Sequence, residues 1–106
     1  MGWADNIIHN LKEKNSVRFR PHGNSMKPLI SSGDLCEVLA LYSNLNVGDI
    51  VLSTVKGRQY VHLIKAVRKN GDKIEYLIGN NRGGINGWTS RIHGLVFNVE
   101  KDTLKT

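Results

Sequence analysis

The chain opens with an apolar stripe at helical spacing. Trp3, Ile7, Ile8 and Leu11 recur on one face, and Lys12, Glu13 and Lys14 lie beyond them. This predicts a short amphipathic helix within residues 1–15. From Val17 onward the period drops towards two. Val17-Arg18-Phe19-Arg20 alternates apolar and basic residues. Leu35 to Leu41 is an apolar run, Ile50 to Val55 follows Gly48-Asp49, and Tyr60 to Val67 is rich in β-branched and aromatic residues. Each reads as a strand, as do Ile74 to Ile78 and Gly94 to Val99. Lys56-Gly57-Arg58 and Asn70-Gly71-Asp72 are turn signals between strands. Gly33-Asp34 and Gly48-Asp49 read as turns that open strands. The glycine- and asparagine-rich stretch Gly79 to Asn86 reads as a loop. The polar tail, residues 100–106, is expected to fray. One helix and about six short strands make a mainly β, or α+β, single domain over residues 1–106, with its β part spanning 17–99.

Length and composition narrow this picture. The 106 residues suit one domain, and an apolar fraction of 40% supports a modest core. No segment approaches the roughly 18 consecutive apolar residues of a membrane-spanning helix. Residues 1–15 carry no apolar signal-peptide core. The single cysteine, Cys36, has no internal partner, so a reducing, cytoplasmic setting is expected. Cys36 lies within an apolar run and reads as a packed strand residue. His9, His22, His62 and His93 are scattered and no cysteine cluster accompanies them, so no metal site and no cofactor is expected. The net charge of +6 favours an anionic partner. The cations cluster at Arg18/Arg20/His22/Lys27, at Lys65/Arg68/Lys69 and at Arg82/Arg91, which fits a patch assembled by folding.

The most chemically informative stretch is Gly23-Asn24-Ser25-Met26-Lys27-Pro28. Gly23 permits a backbone turn that other residues resist, and Pro28 fixes the chain just after it. A serine on such a turn presents its hydroxyl at a defined angle, as a nucleophile requires. Three further blocks follow in order. They are Gly48-Asp49-Ile50-Val51, Tyr60-Val61-His62, and Gly79-Asn80-Asn81-Arg82 with Ser90-Arg91-Ile92-His93-Gly94-Leu95-Val96. Together with Gly33-Asp34, the ordered set resembles the peptidase domain shared by type I signal peptidases and LexA-type self-cleaving repressors, over roughly residues 17–99.

The resemblance implies an N-terminal helix followed by coiled antiparallel sheets, with the nucleophile beside an open groove. It is nearest to the histidine type of signal peptidase, found in the endoplasmic reticulum and in archaea. It implies Ser25 as nucleophile and His62 as general base. The acid that supports the histidine in such relatives corresponds to Asn80, and a second family acid to Thr89. The site is therefore expected to be a Ser25–His62 dyad, with Asn80 orienting the histidine. The chain has no upstream membrane anchor, no helix-turn-helix and no Ala-Gly cleavage pair, so neither a membrane-anchored signal peptidase nor a self-cleaving repressor is expected.

The Gly79–Trp88 segment carries a second expectation. Its glycines, Gly83 and Gly84 among them, allow close approach of a ligand and can expose backbone N–H groups to an anion. Arg82 offers a planar fork for phosphate or carboxylate, and Trp88 a stacking face. The candidate ligand-contacting set is Arg20, His22, Met26, Lys27, Tyr60, Asn81, Arg82, Gly83, Gly84, Trp88 and Arg91. Two readings follow. One is a peptidase that cleaves peptide or ester bonds. The other is a catalytically silent relative that sequesters an anionic nucleotide or acidic peptide, as befits a small phage or mobile-element product. Charge-driven nucleic-acid binding is a weaker third, because few aromatic residues are free for base stacking. Oligomeric state has no signature in the sequence.

Overall fold

The computed structural model of the chain describes residues 2–40 and 44–102. Helix α1 runs Asp5–Lys14, with Asp5 in its first turn and Lys12 and Lys14 in its last, charges that complement the helix dipole. It ends at Asn15, whose left-handed backbone (φ 68°) turns its N–H back onto the Leu11 carbonyl. Leu11 is buried. Trp3 lies ahead of the helix and is 54% exposed, so it is not part of the buried stripe that its spacing predicts.

Seven strands follow: β1 (Ser16–Phe19), β2 (Leu35–Leu39), β3 (Ile50–Val55), β4 (Arg58–Asn70), β5 (Lys73–Gly79), β6 (Ile85–Thr89) and β7 (Ile92–Glu100). They form one antiparallel sheet in the order β1-β2-β7-β3-β4-β5-β6. The described residues are thus mostly β, with one short N-terminal helix. Lys56 and Gly57 (φ 50° and 82°) join β3 to β4 with the two positive φ values that a two-residue hairpin turn needs.

Strand alternation sends β3 and β4 residues to two packed groups. Leu52, Val61 and Leu63 join Val38, Val96 and Leu11 beneath α1. Val51, Val55, Ile64 and Ile78 form the second group, with Tyr60, Tyr76 and Leu95 against it. Cys36 is fully buried in the first group, and desolvation pushes its thiol up to about 11, which makes it a packing residue.

The architecture departs from the sequence reading in four places. The expected plural sheets are one continuous sheet. β6 occupies part of the segment read as a loop. The expected strand through Leu41 ends at Leu39, and residue 41 lies outside the described residues. The tail is tied down as far as Asp102: the Lys101 ammonium donates to the Pro28 and Leu29 carbonyls and to Asp34, and the Asp102 N–H donates to Asp34.

Candidate active site

The long connection between β1 and β2 carries Ser25. Gly23 (φ 114°) starts its turn, and the Lys27–Pro28 peptide is cis. Three anchors hold the connection. The Gly33 N–H donates to the Pro21 carbonyl, closing its base. The buried Asp34 carboxylate accepts the Ser31 N–H and the Lys101 ammonium. Asn81 reaches across from the β5–β6 turn: its N–H donates to the Ser25 carbonyl at 3.0 Å and its Nδ2 to the Lys27 carbonyl at 2.9 Å. The backbone N–H groups of Ser25 and Met26 have no acceptor among the described residues.

His62 is presented by β4. Strand β5 pairs with β4 only from Leu63 onward, so Gln59–His62 pair with β3 alone and have no strand on their other edge, where the Trp3 indole N–H takes the Gln59 carbonyl. The Ser25 turn lies against this opening. Ser25 Oγ is 3.1 Å from His62 Nε2, and His62 Nδ1 is 2.6 Å from Asn86 Oδ1. An amide oxygen only accepts, so the contact with Asn86 puts the imidazole proton on Nδ1. Nε2 is then left with a lone pair directed at the serine hydroxyl. The ring also stacks on Tyr60, with centroids 5.0 Å apart.

His62 is only 8% exposed. Burial is the main reason that its pKa lies below the ordinary histidine value. The Asn86 bond pulls the other way, and the nearby Lys65 ammonium adds to the lowering. The imidazole is therefore neutral near pH 7, the protonation state a general base needs.

Asn86 reaches His62 through a register irregularity. Ile78 pairs with Gly87 and Gly79 with Ile85, so Asn86 is the extra residue of a β-bulge. A bulge re-aims the side chain of its unpaired residue, a common device beside functional sites. Asn80, expected to orient the histidine, has another task. Its Oδ1 accepts the N–H groups of Arg82 and Gly84 and shapes the β5–β6 turn. Thr89, at the second expected acid position, donates its hydroxyl to the Thr54 carbonyl.

A cleft of about 500 Å³ opens beside the pair. Arg20, His22, Met26 and Tyr60 line it together with Ser25 and His62. Lys27, Asn81, Arg82, Gly83, Gly84, Trp88 and Arg91 do not. Asn81 is engaged with the serine turn, and Arg82 and Arg91 are exposed. The Trp88 ring is covered by the Arg68 guanidinium, 4.2 Å from its centroid. The cleft has a wall absent from the candidate set, made by the N-terminal segment. Trp3 Nε1 donates to the Gln59 carbonyl, the Ala4 N–H donates to Gln59 Oε1, and Gln59 Nε2 donates to Asp5.

No group of histidine, cysteine and carboxylate side chains suited to a metal ion occurs among the described residues, and no helix among them is long and apolar enough to cross a membrane. No protein-family model matches the sequence, and no curated protein matches it.

Proposed function

We propose that the protein is a serine hydrolase acting on peptide bonds by acyl transfer, in a domain of the signal-peptidase and LexA type. The observation that carries this reading is the chain of contacts Ser25 Oγ to His62 Nε2 and His62 Nδ1 to Asn86 Oδ1. It has the connectivity of a nucleophile, a base and a group that orients the base. Cysteine-histidine-asparagine peptidases use an amide in that third position.

In the first step His62 Nε2 takes the Ser25 hydroxyl proton as Oγ bonds to the substrate carbonyl carbon. The carbonyl π electrons move onto oxygen, where the free N–H of Ser25 or Met26 can donate to them. Collapse of the tetrahedral intermediate breaks the C–N bond, and His62 returns the proton to the departing amine. Water then attacks the acyl-serine by the same proton path and releases the acid. Throughout, the Asn86 amide oxygen accepts from Nδ1–H and keeps the ring in its productive tautomer. The strandless edge of β4 beside Ser25, past the Gln59 carbonyl that Trp3 occupies, suits an extended substrate chain, which can add to it as a further strand.

The test is reaction with a fluorophosphonate, followed by intact mass. The wild type is expected to gain one adduct and Ser25→Ala none. An unlabelled wild type would refute the reading.

A further inference from the structure

The walls of the cleft carry information about what enters it. Its floor is apolar, with Met26 and Ile30 both buried in the core group beneath α1 and Val61 beside them. Its far wall is Trp3, which keeps 54% of its surface exposed while its indole N–H is held by the Gln59 carbonyl. Trp3 also packs against Phe19, centroids 5.9 Å apart, so the ring has a fixed place. An exposed indole held by its N–H and by a tilted contact with Phe19 is a built surface. The volume of about 500 Å³ is within the range of small-molecule pockets and is several times the roughly 150 Å³ that holds a benzene ring.

Arg20 supplies a charge on the same cleft. Its Nη1 donates to the Gly33 carbonyl at 2.7 Å, a neutral acceptor, and no carboxylate lies within ion-pair distance among the described residues. The nearby Asp34 carboxylate is committed to Ser31, Lys101 and Asp102. The Arg20 guanidinium therefore lines an apolar cleft without a carboxylate partner, an arrangement that favours a carboxylate ligand.

We propose that the substrate is a peptide that places a bulky apolar side chain in this cleft and a carboxylate against Arg20. Trp3 and Arg20 are its specificity-determining residues. This inference rests on the hydrolase reading above, and its test separates the two. Acylation of Ser25 is followed with p-nitrophenyl esters of N-succinyl-phenylalanine, N-succinyl-alanine and N-acetyl-phenylalanine, with Ser25→Ala as background and fluorophosphonate labelling run in parallel.

The wild type is expected to react with the succinyl-phenylalanine ester roughly tenfold or more faster than with the alanine ester, the scale on which apolar pockets discriminate. It is also expected to prefer succinyl over acetyl. Trp3→Ala should erase the side-chain preference and Trp3→Phe should keep it. Arg20→Gln should erase the succinyl preference and Arg20→Lys should keep part of it. Circular dichroism checks that each variant is folded. Labelling of Ser25 with no preference for phenylalanine, or none for succinyl, overturns this inference and leaves the hydrolase reading standing. Absence of fluorophosphonate labelling overturns both.

Discussion

Replacing Asn86 with aspartate is the sharpest test of the catalytic arrangement, because it changes one atom's chemistry while keeping the side chain's shape. The amide oxygen that now accepts from His62 Nδ1 at 2.6 Å would become a carboxylate oxygen in the same place. When His62 takes the serine proton, a positive imidazolium would face a negative charge instead of a dipole. Two unit charges about 4 Å apart attract by about 4 kcal/mol at an effective dielectric constant of about 20. Desolvation of the new carboxylate beside β4 takes back part of that. A net 1–3 kcal/mol of transition-state stabilisation corresponds to a rate gain of about five- to 150-fold. The assay is the pseudo-first-order rate of fluorophosphonate labelling, with the His62 ring protons titrated by NMR. Asn86→Asp is expected to label faster and to move the His62 midpoint upward. Asn86→Ala is expected to label more slowly than wild type, since the ring loses its tautomer lock. Asn80→Asp is expected to leave both readouts unchanged, because Asn80 Oδ1 accepts only from the β5–β6 turn. A folded Asn86→Asp variant with an unmoved His62 midpoint and wild-type rate would refute the argument, as would an Asn80→Asp variant that moves both.

Four further outcomes follow from the same geometry. The labelling rate should be flat around neutrality and fall only on the acid side of the ordinary histidine range, because burial holds His62 under its ordinary value and the proposed reaction needs the neutral ring. Burial alone would raise the pKa of Asp34, but hydrogen bonds from Ser31, Lys101 and Asp102 outweigh it and hold the carboxyl at about 2 rather than 3.8. The unfolded chain therefore takes up that proton first as pH falls, and this stabilisation, complete above about pH 4, is lost towards pH 2. Lys101→Met should shift acid unfolding, followed by circular dichroism, to higher pH. Ser53→Ala should be neutral or stabilising by up to about 2 kcal/mol in urea unfolding, because the buried Ser53 Oγ has no partner among the described residues and its desolvation is uncompensated. Gly94→Ala should cost about 1–3 kcal/mol in the same assay, because a Cβ there would lie 2.5 Å from Val38 Cγ1 and 3.1 Å from the Leu39 carbonyl oxygen in a closed core.

The strands β1 to β5 and β7 are legible in the sequence because each carries local apolar patterning bounded by a turn signal. Strand β6 is not. Ile85-Asn86-Gly87-Trp88-Thr89 has two turn-forming residues at its centre, and its strand character comes from pairing with β5 across a bulge. Local propensity at Asn86-Gly87 favours a turn, and the tertiary ladder overrides it. Trp3 fails as a helix residue for a related reason. Its spacing fits the stripe of α1, but the helix begins at Asp5, and contacts with Gln59, far along the chain, decide where the indole goes.

The same distinction explains which parts of the candidate site could be read. Ser25 and His62 each sit in a local context that constrains them, a glycine-proline turn and a strand of β-branched neighbours. Their meeting at 3.1 Å needs the sheet, and it is the ordered set of blocks, not either context alone, that marks the two as a pair. The group behind His62 could not. Position 80 and position 86 both hold asparagine, both flank the same glycine-rich turn, and composition cannot rank them. Register does. Regular pairing of β6 with β5 would remove the extra residue between Ile85 and Gly87, and it is this residue whose side chain meets Nδ1. One inserted residue in a ladder thus decides which amide meets His62. The other is left to build the turn from which Asn81 holds the Ser25 backbone. The two asparagines divide the work of positioning Ser25 and His62, one on the imidazole and one through the turn that supports the serine's backbone.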